Sequence, residues 1–427
     1  MHNSTNKLSQ TDEILLPKVL IHYICKYLKK IDIDQLNLLS KRFNDIIFKY
    51  KINKYYLVLS RVTKSDIDYC LQKYNNTLKL ICSENLNQPT DKLHHNFPNL
   101  QSLKFDSHFN QPINYISLPS NLINLSFGEN FNQPVHLLAN CFPNLEHLTF
   151  GFYFNHPIDI FINTLPNLKS LIFGYAFNIS LDKLVTKFVH LKSLTFGGRF
   201  SKLMDCVIDI FPNLEFLVGC NFDQPADKFL NNFPKLKYLK FSNNFNNSFK
   251  GLNGIFPNIK ILIFGSNFNK SINQLIIMFP NLETLIFGRK FDKSIDGLIN
   301  GFVNLKKLCF GQDFNQPIDC LANSFPKLQY LVFGYYFNQP IDCLANSFPN
   351  LLHLEFGYLF NQPVDSLANS FPKLKHLIFC ANFNYSLDSL IDSFPNLETL
   401  TIGKHYKQNI YHFKKRKNCK IVIKKNI

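Results

Sequence analysis

A phenylalanine followed by a small polar residue returns along this chain every 23 residues, and no other feature limits the fold as strongly. Its phase marks are Leu86, Phe109, Phe131, Phe154, Phe177, Phe200, Phe222, Phe245, Phe268, Phe291, Phe314, Phe337, Phe360 and Phe383. The step falls to 22 only between Phe109 and Phe131 and between Phe200 and Phe222, and Tyr406 stands one period beyond the last mark. A fixed period of this length belongs to solenoids and related arrays, in which each turn packs only on its neighbours.

One unit shows what the period builds. From Phe314 the apolar columns are Phe314, Ile318, Leu321, Phe325, Leu328, Leu331 and Phe333; from Phe337 they are Phe337, Ile341, Leu344, Phe348, Leu351, Leu354 and Phe356. Steps of three and four between Ile318 and Phe325 mark one helical face. Asp319 recurs as Asp159, Asp182, Asp205, Asp227, Asp296, Asp342, Asp365 and Asp388, and a short carboxylate there reads as a helix N-cap. Pro326, which recurs in most units, lacks the N–H a continuing helix needs, so the helical piece is expected to last about two turns, 3₁₀ in part. The alternating end of Leu328-x-x-Leu331-x-Phe333-Gly334 predicts a short strand with a sharp exit at glycine. One unit cannot bury its own apolar columns, so neighbouring turns must stack Phe and Leu into a shared core. Asn110, Asn132, Asn155, Asn178, Asn246, Asn269, Asn315, Asn338, Asn361 and Asn384 follow the phase residue and predict a structural polar ladder, since an amide both donates and accepts.

Phe-Asn-Gln-Pro-Ile at 314–318 and at 337–341, each preceded by Leu-x-x-Leu-x-Phe-Gly, resembles the FNIP repeat family. These are leucine-rich-repeat-like modules of amoebal proteins and of large viruses that infect such hosts. The resemblance runs from about Leu80 to Gly403, with Gln-Pro lost after Phe200 and Phe245. It implies an α/β solenoid of about 23 residues per turn, with parallel strands on one face and a protein-binding role.

Four segments follow: a polar start (1–11), a helical region (12–75), the array (76–403) and a basic tail or cap (404–427). In the second, Val19, Leu20, Tyr23, Ile24, Tyr27 and Leu28 share helical spacing, as do Leu36, Leu39, Phe43 and Ile46. Read from these residues alone, the region is a small helical bundle that caps the first repeat. The order Leu16-Pro17, Ile24, Tyr27-Leu28, Leu36 and Phe43 also resembles an F-box. That resemblance implies docking of Leu16, Pro17, Ile24, Tyr27, Leu28, Leu36 and Phe43 on a Skp-type adaptor, and through it a link to a cullin–RING ubiquitin ligase. Both readings stay open.

The formal net charge is +16, and nine lysines or arginines fall between Lys404 and Ile427, where there is no acid. An acidic protein, a localisation receptor or nucleic acid would suit such a segment; without interleaved aromatics, single-strand binding is the poorer fit. Eleven scattered cysteines contain no C-x-x-C pair, which argues against a zinc site or a disulfide framework and for buried thiols in a reducing compartment. No signal peptide or membrane-length apolar run is visible. We expect a soluble cytoplasmic or nuclear protein, in the host cell where the source is a virus, without cofactor or metal. No phosphate loop, H-E-x-x-H or G-x-S-x-G is present, so no catalytic site is expected.

In a coil of this type the strands line a concave face, and residues between the inward leucines point out from it. Tyr330, His353 and His376 fall in one such row, with Tyr335 and Tyr358 just beyond the strands. Stacked on adjacent turns, these five form the candidate target-binding patch, because Tyr buries area with few rotors and keeps a polar tip.

Overall fold

The computed structural model describes residues 56–59, 79–82, 99–113, 118–202, 209–220, 233–249, 254–415 and 418–424. The chain divides into two compact units, Met1–Leu57 and Val58–Ile427, and nearly all described residues belong to the second. Its strands are short and evenly spaced. After β1 (Tyr56–Leu59) come β2 (Lys79–Cys82), β3 (Ser102–Lys104), β4 (Asn124–Ser126), β5 (His147–Thr149), β6 (Ser170–Ile172), β7 (Ser193–Thr195), β8 (Phe216–Cys220) and β9 (Tyr238–Phe241). There follow β10 (Ile261–Ile263), β11 (Thr284–Ile286), β12 (Lys307–Cys309), β13 (Tyr330–Val332), β14 (His353–Glu355), β15 (His376–Ile378), β16 (Thr399–Gly403) and β17 (Lys420–Lys424).

From β2 to β17 each strand pairs in parallel with the next, and equivalent residues face each other: Tyr330 opposite His353, Leu331 opposite Leu354, Val332 opposite Glu355. The period thus becomes a turn of a coil. From β3 to β15 the central leucine of each strand is buried, and the residues on either side of it are half-buried or exposed.

Behind the strands run two columns of phenylalanine. Phe333 and Phe337 stack at 4.0 Å within one turn; Phe333 meets Phe356 of the next turn at 5.5 Å, and Phe337 meets Phe360 at 6.1 Å. Near-parallel, offset rings at these separations add to the gain from burial alone. Both columns are buried throughout their described length, so the expectation of a phenylalanine core holds. Tyr406 closes the second column, stacked on Phe383 at 5.9 Å with its hydroxyl donating to the Tyr385 carbonyl at 3.1 Å. The basic segment therefore includes a last turn: helix Tyr411–Lys415 and then β17, paired to β16.

The side opposite the strands differs in detail from the sequence expectation. Each helical piece is a single turn, as in the 3₁₀ segments Asp319–Leu321, Asp342–Leu344 and Asp365–Leu367, or one four-residue α-turn, as at Asp159–Ile162. Asp319 is the first residue of its turn and not its cap; Ile318 stands at the cap without a side-chain bond. Where a side chain does approach, it is a serine two residues earlier, as Ser386 Oγ accepts from the Asp388 N–H at 3.1 Å. The piece ends where Ala322, Ala345 and Ala368 turn to extended ψ of 120, 125 and 128°, and Asn323, Asn346 and Asn369 follow with φ of 54, 57 and 60°. Asn tolerates this left-handed geometry, which ends a helix.

The asparagine ladder is present. Asn338 Oδ1 accepts from the Asn361 N–H at 2.8 Å while Asn338 N–H donates to Asn315 Oδ1 at 2.8 Å, and Gln362 Nε2 donates back to the Asn338 carbonyl at 3.0 Å. Each amide thus satisfies the bend of the following turn.

Gly334 is needed for closeness and not for a left-handed exit. A Cβ there would land on the carbonyl oxygen of Gly311 in the preceding turn. At Gly219, by contrast, φ is +84°, and the strand register shifts between Val218 and Cys220 where one residue of the period is missing and the first phenylalanine column is interrupted. Cys380 holds a side chain at the position equivalent to Gly334, so the coil accommodates one there.

Two stability predictions follow the columns. Gly334→Ala should destabilise by about 1–3 kcal/mol through forced backbone shifts. Asn338→Ala should lose about 1 kcal/mol, since its hydrogen bonds lie near water. Urea unfolding followed by far-ultraviolet circular dichroism would reverse the argument if the asparagine variant proved the weaker of the two.

Candidate functional site

The register that stacks the core also aligns what faces outward. On the strand face the first residues of β12 to β17 form one column: Lys307, Tyr330, His353, His376, Thr399 and Lys420. Tyr330 is 40% exposed, with the Lys307 ammonium 5.8 Å from its ring centre. Its ring lies 5.7 Å from the imidazole of His353, which lies 5.9 Å from that of His376. Beyond the strands, Tyr335 and Tyr358 stack at 4.6 Å and 2°, and Tyr336 meets Tyr335 edge-on at 4.9 Å. The structure therefore brings the five sequence-selected residues into two ladders, separated by the inward-facing Phe333 and Phe356.

Electrostatics set the rest of this face. His353 Nε2 lies 3.2 Å from Glu355 Oε2, and that hydrogen bond holds the Glu355 carboxyl below its usual range despite partial burial. Just before the strands runs a line of alternating charge. Glu215 takes Lys237 at 2.8 Å and Lys192 at 3.5 Å; Glu283 takes Lys306 at 2.7 Å and Lys260 at 2.9 Å; Lys375 takes Glu398 at 2.7 Å. Hydrogen bonds from lysine lower the Glu215, Glu283 and Glu398 carboxyls. The line breaks at Gln329 and Leu352, beside the Tyr330–His353 contact.

Sequence reasoning missed a second aromatic group. Phe152 (40% exposed) stacks on Tyr175 at 4.8 Å, Tyr153 meets Phe152 edge-on, and the Arg199 guanidinium lies 5.4 Å from the Tyr175 ring centre. Phe152 and Tyr175 follow Gly151 and Gly174, as Tyr335 and Tyr358 follow Gly334 and Gly357, so the same column would have found them. A second asparagine ladder was also missed: Asn350 Nδ2 donates to the Pro326 carbonyl at 2.9 Å and Asn396 Nδ2 to that of Pro372 at 2.7 Å. The signal was the residue after each proline.

Other chemistry is quiet. Burial pushes the Cys320 thiol up to about 12 and those of Cys343 and Cys380 to about 11, far from the range of reactive thiolates. Among the described residues no group of His, Cys, Asp and Glu is placed to hold a metal ion, and no helix is long and apolar enough to cross a membrane. His147 is exposed, as its place in the strand requires. His94 and His95, and Leu16, Pro17, Ile24, Tyr27, Leu28, Leu36 and Phe43, lie outside the described residues.

Comparison with known proteins agrees with this geometry. The FNIP Repeat family model matches residues 87–130, 131–176, 250–290 and 321–359, so the chain carries FNIP repeats. Among solved structures it is similar to CroV588, a circular LRR protein, at 28% identity and a TM-score of 0.51, over 79% of this chain. The chain spans 57% of the length of that protein. It is also similar in fold to the LRR protein LIC12759 of Leptospira interrogans, at 16% identity and a TM-score of 0.58, over 87% of this chain and 97% of that one. No curated protein sequence matches the chain. The fold is thus an LRR-like repeat solenoid.

The Tyr335–Tyr358 stack should couple by about 0.5–1.5 kcal/mol in a double-mutant cycle of unfolding. Strictly additive losses for Tyr335→Ala and Tyr358→Ala would show that the rings merely lie near each other.

Proposed function

We propose that this solenoid holds a partner protein on its strand face, and that residues 12–75 join it to a Skp-type adaptor. On that reading the chain is the substrate-recognition subunit of a cullin–RING ubiquitin ligase. One observation carries the binding half: a part-exposed ladder of Tyr330, His353 and His376, flanked by the Tyr335–Tyr358 stack and built on the parallel sheet. Such stacking contributes modestly to the fold, and Tyr in a part-exposed setting of this kind is favoured at protein interfaces. Support for the adaptor half is the order Leu16-Pro17, Ile24, Tyr27-Leu28, Leu36 and Phe43, together with its place ahead of a binding array.

A scaffold without a ligase link is the second reading. It rests on the same ladder and treats residues 12–75 as a cap for the apolar end of the array.

Purified Skp-type adaptor separates the two. The intact chain should retain it, and Leu16→Ala with Pro17→Ala should abolish retention without lowering the unfolding midpoint of the array. Tyr330→Ala with Tyr335→Ala should leave adaptor binding unchanged. If the intact chain retains no adaptor, the ligase role is lost and the scaffold role stands.

A further inference from the structure

We infer that the column from Lys307 to Lys420 is a seat for an extended acidic segment of the partner protein, lying across β12 to β17. The inference rests on the proposed binding function and specifies the chemistry of what is bound.

The first ground is a census of carboxylates. On the described strand face and the line just before it, the acids are Glu146, Glu215, Glu283, Glu355 and Glu398. Every one is already matched: Glu146 by Lys169 at 2.7 Å, Glu355 by His353 at 3.2 Å, and the other three by the lysine pairs given above. Lys307 and Lys420, at the two ends of the column, have no acidic partner among the described residues. Between them stand Tyr330, His376 and Thr399, whose hydroxyls and ring N–H can donate to a carboxylate, and His353, whose Nε2 is already engaged by Glu355. Glu355, the carboxylate nearest this row, is engaged by a hydrogen bond with His353 and feels Lys424 of β17.

The second ground is the shape of the charge pattern. The alternating line beside the strands gives way to Gln329 and Leu352 here, so no lysine–glutamate pair of that line stands beside Tyr330 and His353. On the far side of the coil, successive turns expose Asp296, Asp319, Asp342, Asp365 and Asp388. That edge repels an acidic segment, so the charge pattern favours the strand face over it.

Fluorescence anisotropy of the full chain with a labelled peptide of alternating Glu and Ser tests this. We expect saturable binding that weakens steeply with salt, and a composition-matched Lys–Ser peptide that does not bind. Lys307→Glu with Lys420→Glu should weaken the Glu peptide by about tenfold or more, while Asp319→Lys with Asp342→Lys should not weaken it. All four positions are at or near the surface, and matching unfolding midpoints confirm that the variants fold. Equal binding of the two peptides, or indifference to reversal at Lys307 and Lys420, overturns the proposal. So does tighter binding of oligothymidine with the same dependence on those lysines, which would assign the face to nucleic acid. If the Glu peptide fails while Tyr330→Ala with Tyr335→Ala still releases a partner from the chain, the acidic seat is wrong and the protein-binding role survives.

Discussion

Contact between a pair of phenylalanines and the same pair one turn later is the interaction on which everything else here depends. The rings stack at 4.0 Å within the turn of Phe333 and Phe337 and at 5.5 and 6.1 Å to the next. Planar rings accept little change in that separation without losing dispersion contact. Each turn must therefore advance by one strand spacing and repeat its conformation. Removing a ring from this column leaves a cavity bounded by two other rings, a cost of about 3–5 kcal/mol for a Phe→Ala change.

That demand reaches the surface through the backbone. Because Leu331 must lie over Leu354, Tyr330 must lie over His353, and a substitution in one turn acquires neighbours chosen by sequence position. Side chains that would scatter on an irregular surface form rows: amides at Asn315, Asn338 and Asn361, opposite charges at Lys260, Glu283 and Lys306, rings at Tyr335 and Tyr358. Rows of amides serve the fold, since their oxygens are consumed by the next turn. Rows of rings and unmatched cations leave polar tips and charge facing water, which is why recognition is assigned to them.

How far the sequence could be read depended on whether a property follows from position or from backbone angle. Buried columns, the strand at Leu331 and the ladder after each phase phenylalanine follow from position, and the period made them legible. Asp319 was misread because a carboxylate at the start of a turn looks alike whether it caps from outside or begins the turn. Gly334 was misread because absence of a side chain answers both to a left-handed bend and to a close neighbour; only the carbonyl of Gly311 decides between them. Asn323 and its equivalents were passed over, since nothing in their neighbours announces a positive φ. The last strand hid in a run of lysines, although Ile421, Val422 and Ile423 carry its pattern. Of the surface, the five residues from Tyr330 to His376 were legible, though as one patch where the structure has two ladders, while Phe152 and Tyr175 occupied the column of Tyr335 and Tyr358 unrecognised.

Two stacked pairs, Phe152–Tyr175 and Tyr335–Tyr358, thus ride one column of a coil whose turns are interchangeable in register. Gain or loss of a whole turn between them would leave each pair intact and change their separation along the strand direction of stacking by about 4.8 Å, the distance between paired strands. The array is in this sense a ruler with a fixed graduation. A lineage that duplicates or deletes single turns can tune the distance between two contact points without redesigning either, whereas the loss of one residue before Phe222 coincides with a left-handed glycine and a register shift on the spot.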